Sequence, residues 1–369
     1  MSYFRKNIDA MSGYVPGEQP PQGAKVVKLN TNESPYPPSP AAMKVLRDLD
    51  GENLRRYPDA MAGEFRRAAG NVLGVAPEWI LPGNGSDDLV MMIARACTGP
   101  GRAAAYPVPT FTFYVTQARV QAAEIVEVPF DEDFNLPVDE LAEANAAVTF
   151  VANPNSPSGT FAPVDRLDEL AGRVSGLLAI DEAYVDFSEQ DALRLAEKHD
   201  NVIILRTLSK GYSLAGLRLG FGVGNPGLLD GLSKAKAIYN VSAAACAVGA
   251  AAIEDQAHKI ANAEKIKASR TKLTSELADM GFRVWPSQAN FLLARPPGGD
   301  AGRMHQALKA RGILVRYFNE PRLDDKLRIT VGTDRQNAAL VEGLKQIIGP
   351  RPPGPKGVLG PRPKAPGGS

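Results

Sequence analysis

Between residues 81 and 224 one alternation repeats: a short apolar run, a polar end, then a stretch with helical character. The segments "AAAYP", "EIVEVP", "AVTFVANP", "GLLAIDEAY", "NVIILRTLS" and "LRLGFGVG" are apolar runs of strand length. Each ends in Pro, Gly, Asn or an acidic residue. Strands apolar on both faces and separated by helices predict a mainly parallel sheet covered on either side, an α/β fold in three layers. Ligands of such sheets bind beyond the carboxyl ends of the strands. The polar clusters stand at those ends: "NPNSPSGT" after "TFVA", "DEAY" after "LLAI", and "TLSK" after "VIIL". One site built from several loops is expected there.

Residues 226–255 carry one long helical pattern, and 259–281 an amphipathic helix rich in Ala, Lys and Glu. The pieces "FRVWPSQANFLLAR", "GRMHQALKARG", "ILVRYF" and "LRITVG", followed by a terminal helix over 333–348, predict a smaller α+β domain. The start, with "YVPGEQPPQGAK", reads as an extended arm. The expected organisation is an arm over 1–30, a large domain over 56–254 and a small domain from 31–55 and 255–348. A Pro/Gly-rich basic tail over 349–369 is expected to be disordered.

With 369 residues and a net charge of +1, bulk electrostatics point to neither nucleic acid nor an anionic membrane. The 2 cysteines, Cys97 and Cys246, and the 3 histidines are scattered, so no metal site is expected. Two reduced thiols fit a cytoplasmic setting. The opening "MSYFRKNIDAM" lacks an apolar leader core, so no secretory signal is expected. The run of small apolar residues over 243–252 covers about half of a ~20-residue membrane span, so it reads as a packed helix.

Lys210 closes an apolar run, and an amine at a strand end is a nucleophile suited to Schiff-base chemistry. Thr207, Ser209 and Arg218 offer two hydroxyls and a guanidinium from the same loop, a set that holds phosphate well. In "GNGSDDLV", Gly83 and Gly85 free the backbone, and Ser86 and Asp87 open a helix whose amides favour an anion. Ser86 equally fits a plain helix N-cap. Asp181 ends a strand, where a buried carboxylate needs a positive partner: an arginine, or a protonated ring nitrogen. Tyr184 could donate beside it or pack in the core.

Taken together, "NPNSPSGT", "DEAYVDF", "TLSKGYSLAGLRLGFG" and "LRITVGT" resemble the fold-type I, pyridoxal-phosphate-dependent aminotransferases. "KLNTNESPYPPSP", "RYPD", "PGNGSDDLV", "SQANFLLAR" and "GILVRYFNEPRLDDKLRITVGT" resemble the histidinol-phosphate aminotransferase branch, and the likeness runs over residues 10–348. The resemblance implies that Lys210 bonds the cofactor and moves the substrate proton, Asp181 holds the pyridinium and Tyr184 bonds the phenolate oxygen. It implies that Phe111 stacks on the ring, while Ser86, Asp87, Thr207, Ser209 and Arg218 hold the phosphate. Tyr57 would reach the cofactor of a partner subunit, so a homodimer with shared sites is expected. Arg328, Arg316 and Tyr14 would bind the anionic end of the substrate. One position departs: the asparagine usual before Pro-Thr-Gly is Ser156 here, with Thr replaced by Ser158. Either Asn155 takes over the cofactor contact or Tyr184 carries it alone.

The reaction implied is L-histidinol phosphate plus 2-oxoglutarate to imidazole-acetol phosphate plus glutamate, in histidine biosynthesis. Two other chemistries share the scaffold: an aromatic amino-acid aminotransferase and a phosphothreonine decarboxylase. A ligand-sensing domain of a transcription regulator is disfavoured, because no helix-turn-helix precedes the domain and the charge is near zero.

Overall fold

The computed structural model describes residues 2–13, 17–21 and 23–349; Tyr14 and the tail from 350 onward lie outside the described residues. Among the described residues, twelve strands form two sheets. A first strand, β1 (Val27–Leu29), belongs to the smaller one. The larger sheet follows with β2 (Ile80–Gly83), β3 (Ala104–Val108), β4 (Ile125–Pro129) and β5 (Val148–Ala152). It is completed by β6 (Leu177–Asp181), β7 (Val202–Thr207) and β8 (Gly220–Gly224). The remaining strands, β9 (Arg283–Val284), β10 (Phe291–Arg295), β11 (Ile313–Tyr317) and β12 (Leu327–Thr330), join β1.

The seven strands are ordered β2-β8-β7-β6-β5-β3-β4. The run from β7 to β4 is parallel, and β8 pairs antiparallel with both β7 and β2. This is the mainly parallel α/β sheet that the apolar runs predict. Its double coverage is visible residue by residue. Leu178, Ile180, Val202 and Ile204 enter one core, while Leu177, Ala179, Ile203 and Leu205 enter the core on the other face. Within β5, β6 and β7 the interior polar residues are the buried Thr149, and Arg206, which pairs with Glu182. A strand with both faces buried is otherwise nearly all apolar until it ends. That is why Asp181 and Thr207, the last residues of β6 and β7, are polar.

The smaller sheet runs β1-β11-β12-β10-β9, antiparallel except where β1 joins β11. Leu29, Leu292, Ile313, Val315 and Ile329 share a core there with Leu340 and Leu344 of the helix Asp334–Ile348. Residues 1–30 therefore hold more than an extended arm. They include a helical turn, Lys6–Asp9, and β1, which pairs with residues 313–315.

The helical pattern over 226–255 is two helices, Pro226–Ser233 and Ala243–Glu254. The break is held by the Lys236 amine, which donates to the carbonyls of Ala60, Ala237 and Ile238. Ser242 then caps the second helix by accepting from the Ala245 amide. The long helix begins at Gln256 rather than 259 and ends at Asp279, capped by Asp255, which accepts from the His258 amide. Among the described residues, no helix is long and apolar enough to cross a membrane.

Candidate active site

The carboxyl ends of β5, β6 and β7 open into a cavity of about 730 Å³. Lys210 follows β7 by three residues, half-buried, and its Nζ donates to the Thr31 carbonyl at 3.3 Å. The same amine lies 5.7 Å from the centre of the Tyr184 ring. Asp181 faces the cavity and is 5% exposed. Tyr114 donates its phenol to Oδ2 at 2.8 Å, and the Ala183 amide donates to Oδ1 at 3.0 Å. Burial pushes the Asp181 carboxyl up to about 6, against the pull of those two donors; nearby Asp87 adds to the rise and Lys210 opposes it. Among the described residues, no Lys, Arg or His stands within ion-pair distance of it, so the arginine pairing considered from the sequence is not found.

Tyr114 is the neighbour that sequence reasoning missed. Its ring stacks on Phe150 at 4.9 Å and meets the edge of Phe111 at 5.5 Å. Burial, then the Asp181 charge, push its phenol well above the usual range, so it remains a donor. Phe111 lines the cavity, and its ring is braced by the residue that braces Asp181.

An anion cradle lies beside them. The helix Ser86–Cys97 starts at the cavity; Gly85, at φ +83°, is its N-cap, so Ser86 is the first helical residue and not the cap. Arg218, itself at φ +57°, donates to Asp87 Oδ2 at 2.9 Å and reaches Ser209 Oγ at 3.5 Å. Thr207 Oγ1 donates to Ser209 Oγ at 3.0 Å. A Cβ at Gly85 would stand 2.6 Å from the Arg218 guanidinium, and one at Gly220 would stand 2.4 Å from the Ser86 nitrogen. Glycine at these two points lets the helix start, the strand β8 and the guanidinium close around one small volume.

A second cationic wall faces it. Arg316 on β11 and Arg328 on β12 are direct cross-strand partners, both lining the cavity. Like charges placed opposite one another repel, so the pair is suited to share an anion. Both guanidiniums lie over the Phe318 ring, at 5.1 and 5.4 Å from its centre. Arg328 donates to Ser156 Oγ at 3.2 Å and to the Asn30 carbonyl at 3.1 Å.

The chain matches the family "Aminotransferase class I and II" over residues 24–344. A histidinol-phosphate aminotransferase 1 of Trichormus variabilis is 58% identical over 347 residues, covering 94% of this chain and 99% of that protein. A histidinol-phosphate aminotransferase of Geobacter sp. is 42% identical with the same coverage. The chain belongs to the histidinol-phosphate aminotransferase family. Among solved structures, the histidinol-phosphate aminotransferase from Sinorhizobium meliloti in complex with pyridoxal-5'-phosphate superposes with a TM-score of 0.85 at 27% identity. That match covers 94% of this chain and 98% of that one.

In this aminotransferase the cavity gathers most of the residues singled out from sequence: Ser86, Asp87, Phe111, Asp181, Tyr184, Thr207, Ser209, Lys210, Arg218, Arg316 and Arg328 all line it. Asn155 does not. Its amide nitrogen donates to Ser158 Oγ and the Pro109 carbonyl, and its oxygen accepts from Thr110, so the loop uses the whole side chain for its own shape. Ser156 lines the cavity instead and accepts from Arg328. Tyr57 lies away from the cavity of its own chain, 82% exposed and stacked on Tyr239 at 4.5 Å. Missed altogether is the segment 30–32, quoted only as part of a family motif. Its successive residues meet three functional side chains: Asn30 meets Arg328, Thr31 meets Lys210, and Asn32 meets Tyr184.

Beneath the site, Glu182 is tied to Arg206. Arg206 Nε donates to Glu182 Oε2 at 2.9 Å, and the Ala192 amide donates to Oε1 at 2.5 Å. Burial pushes the Glu182 carboxyl up and Arg206 pulls it back. The pair locks the end of β6 to the end of β7, hence Asp181 to the Lys210 loop. Glu182→Ala leaves Arg206 with only the half-exposed Asp191, 3.1 Å from its guanidinium, so it should destabilise the fold by about 1–3 kcal/mol. Thermal or denaturant melting reads this directly.

Proposed function

We propose that this aminotransferase transfers the amino group between L-histidinol phosphate and 2-oxoglutarate, giving imidazole-acetol phosphate and glutamate, with pyridoxal 5'-phosphate as its cofactor. The observation that carries the reading is one cavity holding a strand-end amine, an unpaired buried carboxylate, an anion cradle and a facing arginine pair. The relatives' names supply the substrate. The cofactor fits the donor set: Asp181 suits a protonated ring nitrogen, and the glycine-lined cradle at Ser86 suits a phosphate.

When bound, pyridoxal 5'-phosphate supplies an aldehyde for the substrate amine and a protonated ring that takes up the electron pair left by the α-proton. The chain does the rest. Ser86, Asp87, Thr207, Ser209 and Arg218 hold the phosphate through the helix amides, the hydroxyls and the guanidinium. Asp181 would keep a proton on the ring nitrogen, Tyr184 would donate to the ring oxygen and Phe111 would cover a ring face. Lys210 Nζ would take the proton from the α-carbon of the donor and deliver it to the carbon that keeps the amino group, running the same transfer backward for the acceptor. Arg316 and Arg328 hold the phosphate ester of one substrate and a carboxylate of the other, which is how a single pocket serves both halves of the cycle. Tyr14 is assigned to the same anionic end by family resemblance.

A homodimer is part of the proposal. Tyr57 and Tyr239 form an exposed stack with Leu54, Met61 and Ile238 also exposed on these segments, a face that a second copy would cover. Tyr57 would then reach the partner's cradle. We assign a large domain to 56–254 and a small one to 31–55 and 255–348. The larger sheet supports the first and the smaller sheet supports 255–348, whereas Ala42 in the 31–55 segment packs into the large-domain core. Two unpaired cysteines support a cytoplasmic setting.

The decisive assay compares amino acceptors. With glutamate as donor, imidazole-acetol phosphate should turn over at least about tenfold faster than phenylpyruvate, in kcat/KM, because only the former carries a dianion for the arginine pair. Equal rates would assign an aromatic aminotransferase. Loss of carbon dioxide without any oxo-acid acceptor would assign a decarboxylase.

A further inference from the structure

Asn32 is held more completely than any role in chain turning requires. It sits at φ +56° and is 1% exposed. Its carbonyl accepts from Asn290 Nδ2 and its amide donates to Thr330 Oγ1, both at 3.0 Å. Its side chain has two contacts at the same distance: Oδ1 with Thr330 Oγ1, and Nδ2 with the Tyr184 hydroxyl. These contacts fix the direction of every proton in the chain of bonds. Thr330 is buried, its oxygen already receives the Asn32 amide, and its own proton needs an acceptor; Asn32 Oδ1 is the one within reach. With Oδ1 committed to Thr330, the amide nitrogen faces Tyr184, and an amide nitrogen only donates. The Tyr184 oxygen therefore accepts from Asn32, and its own proton is turned elsewhere.

We propose that Asn32, oriented by Thr330, is a positioning residue that aims the Tyr184 hydroxyl proton at the ring oxygen of the bound cofactor. The proposal rests on the cofactor reading above and deepens it. In the neighbouring loop the Asn155 amide is spent on Ser158 and the Pro109 carbonyl, while the Tyr184 hydroxyl faces the cavity. Thr330 ends β12 of the smaller sheet and Asn32 follows β1 by three residues, while Tyr184 follows β6 of the larger sheet by three. Thr330 lies two residues beyond Arg328 on β12, so the strand that grips substrate also sets this proton.

The test is the visible absorbance of the cofactor-loaded protein, titrated with pH. Loss of the chromophore's proton leaves more negative charge on the ring oxygen. A donor aimed at that oxygen favours the charged form and lowers the titration midpoint. Asn32→Asp is isosteric but accepts where the amide donates, so it recaptures the Tyr184 proton. It should raise the midpoint by about one pH unit, a tenfold gain in proton affinity. Thr330→Val, which frees the amide to turn over, should raise it by about half as much, and Thr330→Ser should restore the wild-type value. In a Tyr184→Phe background the Asn32 and Thr330 substitutions should move nothing further. An Asn32→Asp shift that persists undiminished in that background would mean its charge acts on the cofactor directly, and overturns the proposal. So do unmoved midpoints with Tyr184 present, or a Thr330→Ser midpoint equal to that of Thr330→Val. If Asn32→Asp fails to fold, the Thr330 pair decides alone. A wild-type protein with no titrating chromophore overturns the cofactor reading and this inference together.

Discussion

Lys210→Ala is expected to give a folded protein whose turnover falls more than about ten-thousand-fold. Positioned proton transfer alone accounts for about a hundred- to ten-thousand-fold, and the same amine also supplies the covalent hold on the cofactor. Lys210 is the one lysine lining the cavity among the described residues, so no second amine stands ready to replace it. The fold should hardly notice. The amine makes a single hydrogen bond, 3.3 Å to the Thr31 carbonyl, and losing such a bond costs about 0.5–1.5 kcal/mol. Steady-state assays, melting curves and the absorbance of cofactor bound to lysine check the three parts separately. Turnover within tenfold of wild type would remove Lys210 from the chemistry.

The strand ends were legible because a doubly covered sheet keeps its strand interiors nearly all apolar, Thr149 and Arg206 aside. Asp181, Thr207 and Lys210 stood out against "LLAI" and "VIIL" for that reason, and the cavity is where they point. Arg316 and Arg328 could be singled out one at a time, but that they face each other across β11 and β12 is a matter of register, which the eleven residues between them do not reveal. Tyr114 was hidden in "FTFYV", where any aromatic reads as core. Only the fold shows that its ring packs while its hydroxyl reaches Asp181. The segment 30–32 was hidden differently. Its partners lie 152 to 298 residues away, and short polar residues after a three-residue strand look like an ordinary loop. Asn155 misled because its amide is the right type at nearly the right place, yet the loop spends it on Thr110, Pro109 and Ser158.

Asp181→Asn should separate stability from activity. In the cofactor-free protein the carboxyl sits near 6 against an ordinary 3.8, because burial disfavours its charge. A folded-state value above the unfolded one means the folded protein holds the proton more tightly. This contribution to stability is therefore full below about pH 4 and is lost as pH rises toward and through about 6. The gap corresponds to about 3 kcal/mol at neutral pH, an order-of-magnitude figure. A neutral amide carries no such penalty. Cofactor-free Asp181→Asn should accordingly melt higher than wild type at pH 7–8, and the difference should close as the pH is lowered toward 4. The Tyr114 phenol can still donate to the amide oxygen, so the neighbouring geometry has a reason to persist. With cofactor bound the order reverses. The ring nitrogen loses the anion that keeps it protonated, and withdrawing a preorganised charge of this kind lowers kcat by about a hundred- to a thousand-fold. A variant that is less stable than wild type at pH 8 without cofactor, or that turns over like wild type with it, would show that Asp181 is not held as a charge awaiting a cation. The acid would then be a structural group, and the case for a protonated ring over β6 would fall with it.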